Sequence, residues 1–78
     1  MTNQEVSAIF TDIYNGFWMK HRDNLPLLKD KDEWDILVKE GKELMDKHDC
    51  QLASDMIADL LAVMDQRQRE QESERWGR

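Results

Sequence analysis

The fold is decided by residues 50–64, which read CQLASDMIADLLAVM. Apolar residues recur in this stretch at spacings of three and four, which is the pattern of an amphipathic α-helix. On a helical wheel they cover about half of the circumference, which is wider than the stripe of a helix that packs against a single neighbour. We therefore expect a central helix that contacts two others and is capped by Asp49.

Two further amphipathic helices are predicted before this one. The apolar stripe of the first, which we expect to face the core, consists of Val6, Ile9, Phe10, Ile13, Tyr14 and Phe17. The first runs over residues 3–22 and begins with a capping box, because the Thr2 hydroxyl can accept a hydrogen bond from a first-turn amide and Glu5 follows three residues later. The second runs over residues 31–48, and a similar arrangement that begins at Asp30 predicts a second capping box. All three helices are therefore specified by apolar spacing, and the first two also by capping residues.

Gly41 lies in the middle of the apolar stripe of the second helix. A glycine inside a helix costs about 1 kcal/mol relative to alanine, so we expect another backbone to approach this position closely. Gly16 lies at the margin of the first stripe and can serve the same purpose. The alternative for either glycine is that the helix simply tolerates it.

These patterns predict an all-α fold, a small three-helix unit that forms a single domain over residues 1–78. The third helix extends over residues 50–70, but its apolar side becomes polar after Met64, so the core is expected to end there and residues 71–78 to form a polar tail. Cys50 is the single cysteine, which leaves no intrachain disulfide to stabilise the unit. Because a chain of this size seldom gains more than ~3–5 kcal/mol from its own core, we expect oligomerisation to complete the fold.

The charge balance and the hydropathy pattern exclude several classes of function. Seventeen acidic and eleven basic residues give a formal net charge of −6, whereas a protein that binds nucleic acid directly needs a basic surface. The apolar runs fall far short of the ~20 residues that a membrane span requires, and residues 1–20 lack the pattern of a secretion signal. With a single reduced cysteine, we expect a cytoplasmic protein that binds neither nucleic acid nor membrane directly.

Two pairs of carboxylates are candidates for a metal site. One pair, Glu40 and Glu43, lies on the second helix, and the other, Asp55 and Asp59, lies on the third. Together they resemble the acidic quartets with which helical nucleotide pyrophosphatases bind magnesium, but the second pair is spaced by four residues rather than three. Both pairs fall outside the apolar stripes, so we expect them to face solvent instead of converging on an ion.

The histidines and the cysteine are the remaining candidates for chemistry. A transition metal needs three or four protein ligands, and no second pair with metal-ligand spacing accompanies His48 and Cys50. We expect His21 and His48 to end two helices, where positive charge suits the helix dipole, and Cys50 to pack as a small apolar residue. The sequence therefore predicts no catalytic, cofactor-binding or metal-binding residue.

Three large apolar residues fall outside the core stripes and are candidate partner contacts. Trp18 lies at the edge of the first stripe, Ile36 opposite the second, and Trp76 in the polar tail. Aromatic side chains are favoured at interfaces because they bury a large area and have few torsions to restrict. We predict contacts with a partner, or with another copy of the chain, at these positions.

Four segments carry a resemblance to a known group of proteins. They are FTDIYNGFW (10–18), the acidic stretch that ends at Trp34, KHD (47–49) and LLAVMD (60–65). In these segments the chain resembles short uncharacterised helical accessory proteins of bacterial prophages and other mobile elements. The resemblance implies an accessory protein that acts inside a bacterial cell, and it brings no catalytic residue with it.

The leading hypothesis from the sequence is a small, acidic, non-enzymatic protein–protein interaction module that self-associates. The alternative is an acidic inhibitor or nucleic-acid mimic of the anti-CRISPR or anti-defence type, because carboxylates can imitate phosphates in binding a basic protein. A magnesium-dependent nucleotide pyrophosphatase that uses the two carboxylate pairs is the remote alternative.

Overall fold

The computed structural model describes residues 1–76, and the side chains of residues 1–74. The described residues form helices and their connections, with no strand among them. The elements are α1 (Asn3–Ile13), a π-helical segment (Tyr14–Trp18), α2 (Met19–His21), α3 (Lys31–Lys47) and α4 (Gln51–Trp76). Since the first three follow one another without a break, they form one N-terminal helix over residues 3–21. The prediction of an all-α unit with three helices is confirmed, and no described helix has the length and apolarity to span a membrane.

The helix starts agree with the predicted positions, but their capping differs from one helix to the next. At α1 the Glu5 amide donates to the Thr2 hydroxyl over 3.1 Å, as the capping box predicts. At α3 the Asp30 side chain makes no capping hydrogen bond, so the prediction of a second capping box is wrong. At α4 the Cys50 carbonyl accepts the first helical bond, from Ser54, so Cys50 takes the cap position expected for Asp49 and the helix begins at Gln51, one residue later than predicted.

The three helices run up, down and up. His21, at the end of the N-terminal helix, contacts Glu40 in the middle of α3, whereas Asp12 contacts His48 at the end of α3. These two contacts require the N-terminal helix and α3 to be antiparallel. A short connection after α3 reverses the chain again, which places α4 parallel to the N-terminal helix in a rod of 50 × 21 × 18 Å.

The core is a narrow column of apolar side chains at the centre of the bundle. Gly41 is buried there, and a Cβ at this position would lie 2.8 Å from Cγ2 of Ile57 and 3.5 Å from Cζ of Phe17. The position is closely packed, but the neighbours are side chains, so the predicted approach of another backbone is wrong. Gly16 has no atom within 4 Å of such a Cβ, so the same prediction is wrong for it. The buried apolar residues are Ile9, Ile13, Phe17, Leu37, Ala53, Ile57 and Met64.

The apolar core ends at Met64, as predicted, but the polar extension that follows it is partly buried. Gln68, one turn further along α4, is only 5% exposed, and its side-chain amide donates to Glu72 over 3.0 Å. The same carboxylate oxygen of Glu72 accepts the backbone amide of Leu28 over 2.9 Å. Because these groups hold the loop before α3 against α4, the helix continues to Trp76 instead of ending near residue 70.

Candidate functional site

A surface groove with a mainly apolar lining lies between the N-terminal helix and α4. It has a volume of about 330 Å³. The side chains of Phe10 and Tyr14 form part of its wall and are both 50% exposed. Apart from Asp59 at its edge, the lining is apolar or aromatic. The residues that line this docking groove are Phe10, Ile13, Tyr14, Trp18, Met56, Asp59 and Leu60.

The N-terminal helix places three aromatic residues in one row along the docking groove. Phe10, Tyr14 and Trp18 are spaced by four residues, and in a regular α-helix such a row rotates by about 40° at each step. From Tyr14 to Trp18 the helix is π-helical, with the Met19 amide bonded to the Tyr14 carbonyl five residues earlier. The wider turn counters this rotation and keeps the row beside α4, and such segments occur frequently at functional sites.

The row formed by α4 supplies the opposite wall. Met56 and Leu60 are one helical turn apart and line the docking groove. Val63 follows on the same side of α4 and is 43% exposed. Beyond it, the guanidinium carbon of Arg67 lies 5.3 Å from the centroid of the Trp18 ring, in a cation–π contact. The docking groove thus has an acidic edge at Asp59 and a positive charge one turn beyond Val63.

The three predicted partner contacts have different surroundings. Trp18 is partly buried and lines the docking groove, between the core and solvent. Ile36 is 55% exposed on α3 and is not among the lining residues. The side chain of Trp76 lies outside the described residues, so its predicted role stays a prediction. Phe10 and Tyr14 were placed in the core stripe by their spacing alone, and the structure instead leaves half of each side chain exposed.

Two ion-paired clusters join the N-terminal helix to α3, and sequence analysis did not predict them. In the first, Glu40 receives His21 at 2.7 Å and Lys20 at 3.3 Å. The expectation that Glu40 faces solvent is wrong, because the 3–21 helix covers its side of α3. The ring of His21 also packs edge-on against Phe17, with 5.5 Å between ring centroids, which connects this cluster to the core.

The second cluster repeats the same chemistry with the roles of the helices exchanged. Asp12 on α1 receives Lys47 at 2.8 Å and His48 at 2.7 Å from the end of α3. In each cluster a consecutive lysine and histidine near a helix C-terminus bind one carboxylate of the other helix. The dipeptide Lys-His occurs twice in the sequence and marks both clusters. Its carboxylate partner could not be predicted, because residue spacing within one helix carries no information about a residue on another helix.

The two bound carboxylates are stabilised in their charged form. A hydrogen bond from Lys47, with a second from His48, lowers the pKa of Asp12 below its ordinary value. A hydrogen bond from His21 is the main cause of the lowered pKa of Glu40, and Lys20 adds to it against the opposing effect of partial burial. These groups hold two helices together electrostatically and are not arranged as a nucleophile with a general base.

The carboxylate pairs considered as a magnesium site are not assembled into one. Glu40 is occupied by the first cluster, whereas Glu43, Asp55 and Asp59 are exposed. Within residues 1–74, no three or more histidine, cysteine, aspartate or glutamate side chains are grouped so that they could hold a metal ion.

Comparison with known proteins found no matching protein family, no similar curated protein and no similar solved structure. The resemblance to prophage accessory proteins accordingly stays a prediction.

Proposed function

We propose that this protein is a non-enzymatic protein–protein interaction module that self-associates through the docking groove. The observation that carries the proposal is the half-exposed pair Phe10 and Tyr14, which lies in one row with Trp18. Contiguous apolar surface of this kind marks an interaction site, and clustered aromatic residues supply most of the binding energy where proteins meet.

The apolar area that Phe10 and Tyr14 expose is large enough to favour association. A fully buried aromatic side chain removes about 150–250 Å² from water, so covering the exposed halves of Phe10 and Tyr14 removes about 200 Å² per copy. At about 25 cal/mol per Å² this contributes about 5 kcal/mol per copy before the entropic cost of association is subtracted. A bundle with a narrow core and no disulfide gains stability from that contribution.

The net charge of −6 supports one alternative partner. A basic protein could bind the same chain by electrostatic attraction, as in an inhibitor that mimics nucleic acid. Binding of that kind weakens steeply as salt is added, because exposed charges are screened. Association through the docking groove depends mainly on apolar contact, so added salt weakens it much less. The proposed setting, an accessory protein of a mobile element in a bacterial cell, is common to both.

A matched pair of substitutions tests the proposal. We expect Phe10→Glu to abolish self-association, because it places a charge in the apolar contact, and Ile36→Glu to leave it intact. Both residues are about half exposed, so the two substitutions remove a similar fraction of buried side chain. The molar mass of each variant and of the unaltered chain is measured by light scattering across the micromolar range, with circular dichroism to verify helix content.

Two results would contradict the proposal. The first is an unaltered chain that stays monomeric at every concentration. The second is self-association that Ile36→Glu abolishes and Phe10→Glu does not, which would place the contact on α3.

A further inference from the structure

The charged residues beside the docking groove are arranged symmetrically about Val63. Asp59 lies four residues before Val63 on α4, and Arg67 lies four residues after it. All three side chains are exposed, and within residues 1–74 neither Asp59 nor Arg67 forms an ion pair. Two opposite charges therefore flank the exposed Val63, and neither charge has an ion-pair partner among the described residues of the same copy.

Asp59 and Arg67 cannot satisfy each other within one chain. Eight residues of α-helix span about 12 Å, which is far beyond the length of an ion pair. In two antiparallel helices that cross at Val63, however, a residue four positions before the crossing faces a residue four positions after it. The acidic position of each helix then meets the basic position of the other at both ends of the contact.

We propose, building on the self-association proposed above, that a second copy of this chain packs along α4 around Val63 and covers the adjoining end of the docking groove. The two copies are related by a two-fold axis beside Val63. The α4 helices run antiparallel, with Asp59 of each copy facing Arg67 of the other. The aromatic rows of the two N-terminal helices then flank the α4 pair on the same face. The interface is therefore isologous, with the same surface on both copies.

Charge selects this arrangement over the other two-fold arrangements of the same surface. A parallel pair of α4 helices would place Asp59 against Asp59 and Arg67 against Arg67. An antiparallel pair centred on the apolar groove itself, between Met56 and Leu60, would bring the two Asp59 carboxylates together beside the axis. Like charges that face each other disfavour an interface. The arrangement with the two-fold axis beside Val63 avoids such pairs.

The cation–π contact prepares Arg67 for this role. Its guanidinium carbon is held 5.3 Å from the centroid of the Trp18 ring, so the charge is already directed over the edge of the docking groove. An arginine that is positioned before binding loses less side-chain freedom when it pairs with a carboxylate. In the proposed register Glu70 faces Met56 of the second copy, and Asp55 faces Gln71, so no other carboxylates are opposed.

Disulfide cross-linking tests the position of the axis. In a Cys50→Ala background, Val63→Cys places a thiol at the axis, where the two copies bring it next to itself. We expect mild oxidation to give a covalent dimer, and a reductant to cleave its disulfide and return single chains. The matched control is Ile36→Cys in the same background, which lies on α3, is more exposed than Val63 (55% against 43%) and should cross-link at least about tenfold more slowly. Equal cross-linking rates for the two positions would overturn the proposal.

A charge exchange tests the ion pairs, with circular dichroism to verify folding. Asp59→Arg and Arg67→Asp should each weaken self-association by at least about tenfold, since each puts like charges face to face. The double substitution reverses both charges and should recover most of the loss. A double variant as weak as the sum of the single ones would overturn the register while leaving self-association through the docking groove in place. A monomeric unaltered chain would instead contradict the proposed function itself.

Discussion

Gly41 and Gly16 have the same intrinsic cost in a helix but opposite surroundings. The backbone at both is helical, because no glycine of the described chain has a positive φ. At Gly41 the side chain of Ile57 occupies the space that a Cβ would need. At Gly16 that space is open. The effect of adding a methyl group should therefore differ in sign between the two positions.

We predict that Gly41→Ala lowers the free energy of unfolding by about 1–3 kcal/mol, since Ile57 is fully buried and cannot move aside without disturbing the core. Gly16→Ala should raise it by about 0.5–1 kcal/mol, because alanine loses less backbone entropy than glycine. Urea unfolding followed by circular dichroism measures both. A destabilising Gly16→Ala together with a neutral Gly41→Ala would contradict the packing described here.

At the scale of the elements, the positions of the helices could be predicted from the sequence, but the contacts between them could not. Apolar spacing located all three helices, because the periodicity of a helix is a property of local sequence. The clusters around Glu40 and Asp12 were missed because they depend on how two helices are offset and rotated. The burial of Gln68 was missed for the same reason, since a polar side chain becomes part of the core only when a neighbouring loop covers it.

The docking groove was predicted in part. Trp18 was identified as a contact because it lies at the edge of the apolar stripe of the N-terminal helix. Phe10 and Tyr14 were assigned to the core, because the stripe was drawn for a regular α-helix over its whole length. The π-helical segment changes the rotation of that helix from Tyr14 to Trp18. No residue type in the segment predicts a π-helix.

The two ion-paired clusters predict how stability responds to acid. Since the pKa values of Asp12 and Glu40 are lowered in the folded state, the unfolded chain binds protons more tightly at these groups. Their contribution is therefore fully present above the ordinary carboxyl range and is lost as the pH falls through the lowered values. The sign follows from the direction of both shifts.

We predict that the double variant Asp12→Asn, Glu40→Gln is less stable than the unaltered chain at about pH 7, and that the difference shrinks as the pH falls below about 4. Urea unfolding at about pH 7 and at about pH 3 measures the difference. Glu43→Gln is the matched control, because Glu43 is exposed on α3 three residues from Glu40. A stability difference between the double variant and the unaltered chain that stays constant with pH would contradict the assignment.

At the scale of the whole molecule, the narrow rod has little interior for its length. Its dimensions of 50 × 21 × 18 Å leave only one column of fully buried side chains. A second copy packed along α4 would remove exposed apolar surface, including that of Val63, from water. The stability of the fold and the formation of the dimer are then linked, because a partner that binds only the folded chain shifts the folding equilibrium.

This linkage predicts a thermal midpoint that depends on protein concentration. For the unaltered chain, the midpoint should rise by several degrees over a hundredfold increase in concentration. For Phe10→Glu, which removes the contact, it should stay constant. Thermal unfolding followed by circular dichroism in cells of different path length measures both, and a midpoint of the unaltered chain that is independent of concentration would contradict the linkage.

The most direct test of the central claim, self-association through the groove between the N-terminal helix and α4, is sedimentation equilibrium of the unaltered chain beside Phe10→Glu. The predicted result is a reversible monomer–dimer equilibrium for the unaltered chain in the micromolar range and a monomer for the variant. A chain that sediments as a monomer at the highest concentration, or a variant that dimerises as well as the unaltered chain, would contradict it.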